Sequence, residues 1–363
     1  MWERPDMLIL FSAGNDGLDK DADGVIDADS VGSPGTAKNC LTVGASENDR
    51  PHTSTPRPGI DANWNQLGSG AGPKWPKLGA SGHVSDNVDG MAAFSSRGPV
   101  DGDRIKPDVV APGTNIASML SSRFPAAETP LWGRLPEDHP LRPFYCWSGG
   151  TSMSTPLVAG AAAVVRQHLV EQRNHVQDGH KPSGALIKAF LVNGAVPMHG
   201  QFAGEVPPGT NNVSGFGRVD LTRTVNPGPQ RTMLFAQEPD DSVATGETRR
   251  YRIDGVDQRL PLDVTLAWTD APSPAGNGGL VNELYLQLET PGGTVLDGDV
   301  TPFPTATNNV QRITIAAPAA GTYTVRVRGV SVTVDSPGAI PAGNLRQDFA
   351  VTSTNGTALT RIT

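Results

Sequence analysis

Residues 148–165 read SGGTSMSTPLVAGAAAVV. Two glycines, Gly149 and Gly150, lead into Thr151 and Ser152, and then into a run of small apolar residues. That run predicts a helix following Pro156, since proline is tolerated in a first helical turn, where its missing N–H would have had no partner. Serine is also a preferred N-cap, and Ser152 taken alone reads that way. Its surroundings allow more. Glycine lets a backbone come close to a bound molecule, and the helix brings its positive dipole end to the serine. A lone hydroxyl is a weak nucleophile at neutral pH unless a base takes its proton. The rest of the chain is therefore read for that base.

The chain has 363 residues, long for one ordinary domain and suited to two. Its 42 glycines and 32 prolines stay below the level of a low-complexity chain, so packed cores joined by many turns are expected. A formal charge of −8 leaves no electrostatic footprint for nucleic acid. The longest apolar run, Leu157 to Val165, stops at Arg166, short of the roughly 20 residues of a membrane span. Neither nucleic acid nor membrane is expected as a partner. The opening MWERPDMLILFSAGNDG lacks the charged-then-apolar pattern of a signal peptide. Two cysteines, Cys40 and Cys146, could pair or stay free.

The pattern changes near Asn226-Pro227-Gly228-Pro229. Before it, short apolar runs (Met7–Ser12, Cys40–Ala45, Val109–Ala111) alternate with helical segments. One such helix runs from an N-cap at Ser183 to Gly194, a C′ candidate. Mixed strands and helices predict an α/β unit with a mostly parallel sheet. After residue 230 the period falls to two. Leu284, Leu286 and Leu288 share one face of 281–289, and Tyr323, Val325 and Val327 share one face of 321–330. Short alternating strands with turn punctuation predict an all-β sandwich or barrel. The expected division is therefore 1–228 and 229–363.

Gly-Thr-Ser-Met-Ser-Thr-Pro, residues 150–156, resembles the nucleophile motif of the subtilisin-like serine peptidases, the subtilases. Ser12-Ala13-Gly14-Asn15 resembles that family's oxyanion-hole segment. Phe94-Ser95-Ser96-Arg97-Gly98-Pro99, the stretch from Lys106 to Gly113, and Gly215 to Asp220 resemble further signatures, in the family's order. TLAWTDAP, LVNELYL, NNVQ and GTYTVRV are similar to bacterial subtilases that carry a C-terminal jelly-roll barrel. The resemblance implies a partial subtilisin-like domain followed by a jelly-roll domain, acting on protein or peptide substrates outside the cell. It makes Ser152 the acyl-forming nucleophile. Asn15 becomes the side-chain oxyanion donor, with the Ser152 N–H as second donor. Ala13, Gly14, Gly150 and Thr151 become cleft residues that bind substrate.

Such a peptidase needs a histidine to accept the hydroxyl proton and an acid to orient it. In subtilases both precede the oxyanion asparagine, and here that asparagine is residue 15. None of the seven histidines is followed by Gly-Thr. His168 lies 16 residues beyond Ser152, roughly 24 Å away along a helix. His175 and His180 fall in a polar loop, His199 lies near a turn, and His52, His83 and His139 fall in loop-rich stretches. The expectation is the C-terminal portion of a subtilase, inactive by itself, with Met1 an internal or mis-called start or the product of a broken gene. The rival expectations are a non-catalytic relative that binds protein or polysaccharide, and a structural secreted module. The oligomeric state is not legible.

Asp19, Asp21, Asp23, Asp27 and Asp29 place five carboxylates within eleven residues, with Gly24 where an EF-hand-like loop turns sharply. Calcium is the expected cofactor, although Ser30 stands where a bidentate Glu is usual. The resemblance also offers Asp270, Asn282 and Glu283, assisted by Asp297 and Asp299, as a second calcium set.

Overall fold

The computed structural model describes the chain apart from residues 51–62, 68–73, 79–81, 126, 174–180, 201–203, 226–232, 238–240, 275–277 and 338–342. The expected boundary at 228 and three of the histidines (His52, His175 and His180) lie outside the described residues.

Three short strands, β1 (Leu10–Ser12), β2 (Leu41–Ser46) and β3 (Val109–Pro112), form a parallel sheet in the order β1-β2-β3. Each coincides with an apolar run of the sequence, though β1 starts three residues late. All six residues of β2 are buried, as a central parallel strand covered on both faces should be. A short helix, α1 (Trp64–Leu67), precedes β3. β4 (Ile116–Met119) and β5 (Tyr145–Ser148) pair antiparallel, and β5 delivers the chain to Gly149.

Helix α2 (Thr151–Gln167) corrects the expected start after Pro156: it begins five residues earlier, and Pro156 is its sixth residue. The capping reading of Ser152 falls with it, because Gly150 is the N-cap, at φ 133°. That positive φ is a conformation glycine adopts without a Cβ clash. Packing is also one-sided. Val158, Ala161, Ala162 and Val165 are buried, while Ser152, Pro156, Ala159 and Ala163 lie exposed on one stripe at helical spacing. Leu157, 46% exposed, and Val164, 39% exposed, widen that stripe.

Helix α3 (Gly184–Asn193) matches its expected limits. The Ser183 hydroxyl accepts the Leu186 N–H at 2.9 Å, closing the first turn. Gly194 is not the left-handed residue expected; its φ is −82°. Glycine stands there for another reason, since a Cβ would lie 2.2 Å from Thr224 Oγ1 on α4 (Leu221–Val225). All ten residues of α3 are buried, which matches a helix that is apolar nearly all round.

Beyond it the fold is β-rich. β6 (Leu234–Ala236), β9 (Leu262–Ala267), β12 (Val310–Ile315) and β15 (Ala350–Ser353) make one sheet in the order β12-β9-β15-β6. β8 (Thr248–Asp254), β10 (Glu283–Glu289), β11 (Val295–Asp297), β13 (Tyr323–Ser331) and β16 (Ala358–Ile362) make the other, in the order β11-β10-β13-β8-β16. Their inner faces share a core of Tyr251, Val264, Leu286, Val325 and neighbours, and the two-residue strands β7 (Ser242–Val243) and β14 (Gln347–Asp348) pair antiparallel. β13 alternates buried and half-buried positions as its sequence predicts. β10 does not, because Tyr285 on its second face is also buried, its hydroxyl donating to the Thr301 carbonyl and its ring set edge-on to Phe303. The whole is a mixed, sheet-rich fold with few helices: a small parallel-sheet unit followed by a β-rich region.

Candidate active site

Ser152 is the second residue of α2 and is exposed. Among the described residues its hydroxyl and its backbone N–H have no hydrogen-bond partner, while the neighbouring Thr151 and Met153 N–H groups are bonded to Asn15 and Gly150. Pro156 cannot donate to the Ser152 carbonyl as the residue four places on normally would. The Ser152 peptide is thus released from the helix ladder on both sides, at the positive end of a 17-residue helix.

Asn15 faces it across the fold. Its Oδ1 accepts the Thr151 N–H at 2.9 Å and the Thr151 hydroxyl at 3.0 Å. With both donors on the oxygen, the amide orientation is decided, and Nδ2 is left free to donate. Thr151 Oγ1 in turn accepts the Gly14 N–H at 3.3 Å. One threonine therefore locks β1's outgoing turn to the start of α2.

That clamp corrects two expected substrate contacts. Thr151 is 0% exposed and offers a substrate no surface. Ala13 is also 0% exposed, its N–H bonded to the Val43 carbonyl and its carbonyl to Gly32 N–H. Both stand behind the site and hold it. Gly150 is buried, with its N–H on the Gly113 carbonyl, and Gly14 keeps partial exposure. Sequence reasoning missed Trp132, whose ring covers Gly149 so closely that a Cβ there would stand 2.1 Å from it. Trp132 also sets its edge against Phe94, at 6.2 Å between ring centres. A tryptophan in a loop carries no spacing signal that could have revealed this.

No histidine among the described residues bonds Ser152. His168 pairs with Gln172 at 2.9 Å, the His139 ring accepts the Leu141 N–H, and His83 bridges to Asn63. Cys40 and Cys146 are both free and buried. No described helix is long and apolar enough to cross a membrane.

The acidic loop brings Asp19, Asp21 and Asp23 together, with an oxygen of each within 4.8 Å of the others. Asp27 and Asp29 fall outside that cluster. Asp27 Oδ2 accepts the Lys20 N–H and lies 4.0 Å from Lys20 Nζ, and the Asp29 N–H is tied to the Gly98 carbonyl. The second calcium set is not assembled as a free site. Asp270 is fully buried and its oxygens already accept Lys38 Nζ and the N–H groups of Ala271, Val281 and Asn282. Asp299 accepts from Thr301, Thr307 and Asn308.

The exposed Ser152 hydroxyl at the start of α2 and the Asn15 amide, whose Nδ2 is free to donate, stand on the two segments that the Thr151 clamp joins. The family model of the subtilase family, Peptidase S8, matches residues 1–223, and the chain belongs to that family of serine peptidases. Over 303 residues it is 28% identical to the serine protease/ABC transporter B family protein tagB of Dictyostelium discoideum, covering 68% of this chain and 16% of that protein. Over 157 residues it is 37% identical to the minor extracellular protease Vpr of Bacillus subtilis, covering 41% of this chain and 16% of that one. The chain thus spans about a sixth of the length of each of these two relatives. A solved S41 psychrophilic protease is 22% identical, with a TM-score of 0.29 over 59% of this chain and 48% of that one.

Proposed function

We propose that this chain carries the nucleophile half of a serine endopeptidase, with Ser152 forming the acyl-enzyme and Asn15 Nδ2 and the Ser152 N–H receiving the oxyanion. The observation that carries this reading is the Thr151 clamp, which spends Asn15 Oδ1 and leaves Nδ2 as a donor beside an unbonded Ser152 N–H. Removing one such donor costs on the order of 3–4 kcal/mol of transition-state stabilisation.

On this reading the proton acceptor comes from polypeptide outside this chain. Two surfaces beside Ser152 support this. β1 pairs only on its β2 side among the described residues, leaving backbone groups open to another strand. The exposed stripe of α2 runs from Ser152 itself through Pro156, Ala159 and Ala163, an apolar face of the sort that packs against protein. A segment lying there would bring an imidazole and its carboxylate to the hydroxyl. The reading further takes the β-rich region as a jelly-roll, the substrates as protein or peptide, and the place of action as extracellular.

The isolated chain should hydrolyse neither casein nor a peptide anilide. Ser152-dependent turnover by the chain alone would overturn the external base. Failure of Ser152 to acylate when a base is provided in solution would overturn its role as nucleophile.

A further inference from the structure

The loop after the oxyanion segment holds a feature that the acyl-transfer site does not use. Asp19 is 4% exposed, and its Oδ1 is buried with no hydrogen-bond partner. An unpaired carboxylate oxygen out of water costs several kcal/mol unless a charge meets it. The two side chains whose oxygens converge with it, Asp21 and Asp23, are themselves acids and so deepen the cost.

We propose that Asp19, Asp21 and Asp23 form a divalent-cation site, and that its occupant is calcium. The chemistry of the donors selects the ion. All are carboxylate oxygens, without nitrogen or sulfur, and two stand on an exposed, adaptable loop. Calcium accepts such irregular oxygen shells, whereas magnesium demands a near-ideal octahedron. The local bonds leave the cluster intact: Asp19 Oδ2 takes the Gly24 N–H at 3.3 Å, and Asp23 Oδ1 takes the Val25 N–H at 2.7 Å. Gly24 turns at φ 99°, which admits this closure. Ser30 supplies no bidentate ligand, since its hydroxyl accepts the Arg97 N–H at 2.9 Å. With three carboxylates and no closing glutamate, affinity falls at the weak end of loop sites, Kd roughly 10⁻⁴–10⁻³ M.

The site is tied to Asn15 by two short links. The loop leaves Gly17, whose carbonyl accepts Trp75 Nε1 at 3.0 Å and whose N–H binds the Phe94 carbonyl. Ile26, on its far side, is buried in the same aromatic cluster as Phe94 and Trp132. Calcium there would brace the segment that presents the oxyanion amide.

The test is calcium titration of the metal-free full chain by calorimetry, with Tm measured in calcium and in chelator. Asp21→Asn/Asp23→Asn, at exposed positions, is the test variant, and Asp27→Asn is its control. Wild type and the control should bind one calcium more than the double variant and gain about 3–4 °C at a hundredfold excess over Kd. The double variant should lose that gain, with a metal-free Tm no lower than wild type. Equal stoichiometry and affinity in wild type and double variant, or no calcium binding by wild type at millimolar concentration, would overturn the site.

Discussion

Thr151 concentrates the site's geometry in one side chain. Its hydroxyl donates to Asn15 and accepts from Gly14, and its own N–H adds a third bond. Thr151→Val keeps the shape and deletes the hydroxyl, leaving the Gly14 N–H without its acceptor. The expected cost is about 1–3 kcal/mol in urea denaturation, together with slower acylation of Ser152. Gly149 gives a second residue-scale test. Gly149→Ala should destabilise by roughly 1–3 kcal/mol through overpacking against Trp132. Adding Trp132→Ala should remove most of that penalty; a cost unchanged in the double variant would show that the ring is not the obstacle. Ser152 and Asn15 could be singled out in the sequence because their motifs are linear. The clamp was not: Thr151 and Gly14 are 137 positions apart in sequence, and a threonine in a nucleophile motif looks the same whether it faces substrate or the fold behind it.

Among the elements, α3 carries the heaviest electrostatic burden. Lys188 on α3 and Lys106 both reach Asp108, at 2.9 Å and 2.6 Å, and all three are buried. Burial alone would raise the Asp108 carboxyl, but Lys106 and Lys188 outweigh it and hold it below the usual range. Burial in turn lowers Lys188, which Asp108 partly restores. A depressed carboxyl contributes stability that is full above the unfolded value, near 3.9, and is lost as pH falls through the lower folded one. Asp108→Asn should cost about 3–5 kcal/mol at neutral pH by leaving two buried ammonium groups. Its stability should also lose the wild-type decline in that acid window; a parallel decline in both would contradict the assignment. α3 was readable from end to end because its cap and apolar pattern are local. α2 was misplaced at its start, since proline marks a first turn by default, and only the glycine N-cap and the released Ser152 peptide show why it sits at the sixth position.

At the scale of the molecule, the change of pattern near 228 does not divide the core. α3 contacts β9 and β15 directly and reaches the parallel sheet through α2, so that Val43, Val109, Ala267, Val310 and Ala350 share one apolar cluster with it. Polar contacts reinforce it: Lys38 reaches Asp270 at 2.6 Å, and Thr265 donates to Asn193 on α3 at 2.8 Å. Thermal unfolding should therefore be a single transition, with calorimetric and van't Hoff enthalpies equal. Two separated transitions would show independent domains. Alternating strands foretold the β-rich half well, but no local pattern states that α3 shares one apolar cluster with strands from both halves of the chain.

The most direct measurement concerns Ser152 and its proton. The chain, Ser152→Ala and Asn15→Ala are exposed to a fluorophosphonate, with and without imidazole in solution, and the adduct on residue 152 is quantified by mass spectrometry. The expected result is negligible labelling without imidazole, imidazole-dependent labelling of wild type, a rate lower by about 10²–10³ for Asn15→Ala, and none for Ser152→Ala. Stoichiometric labelling of Ser152 without added base, or no labelling of it even with imidazole, would contradict a nucleophile that lacks only its proton acceptor.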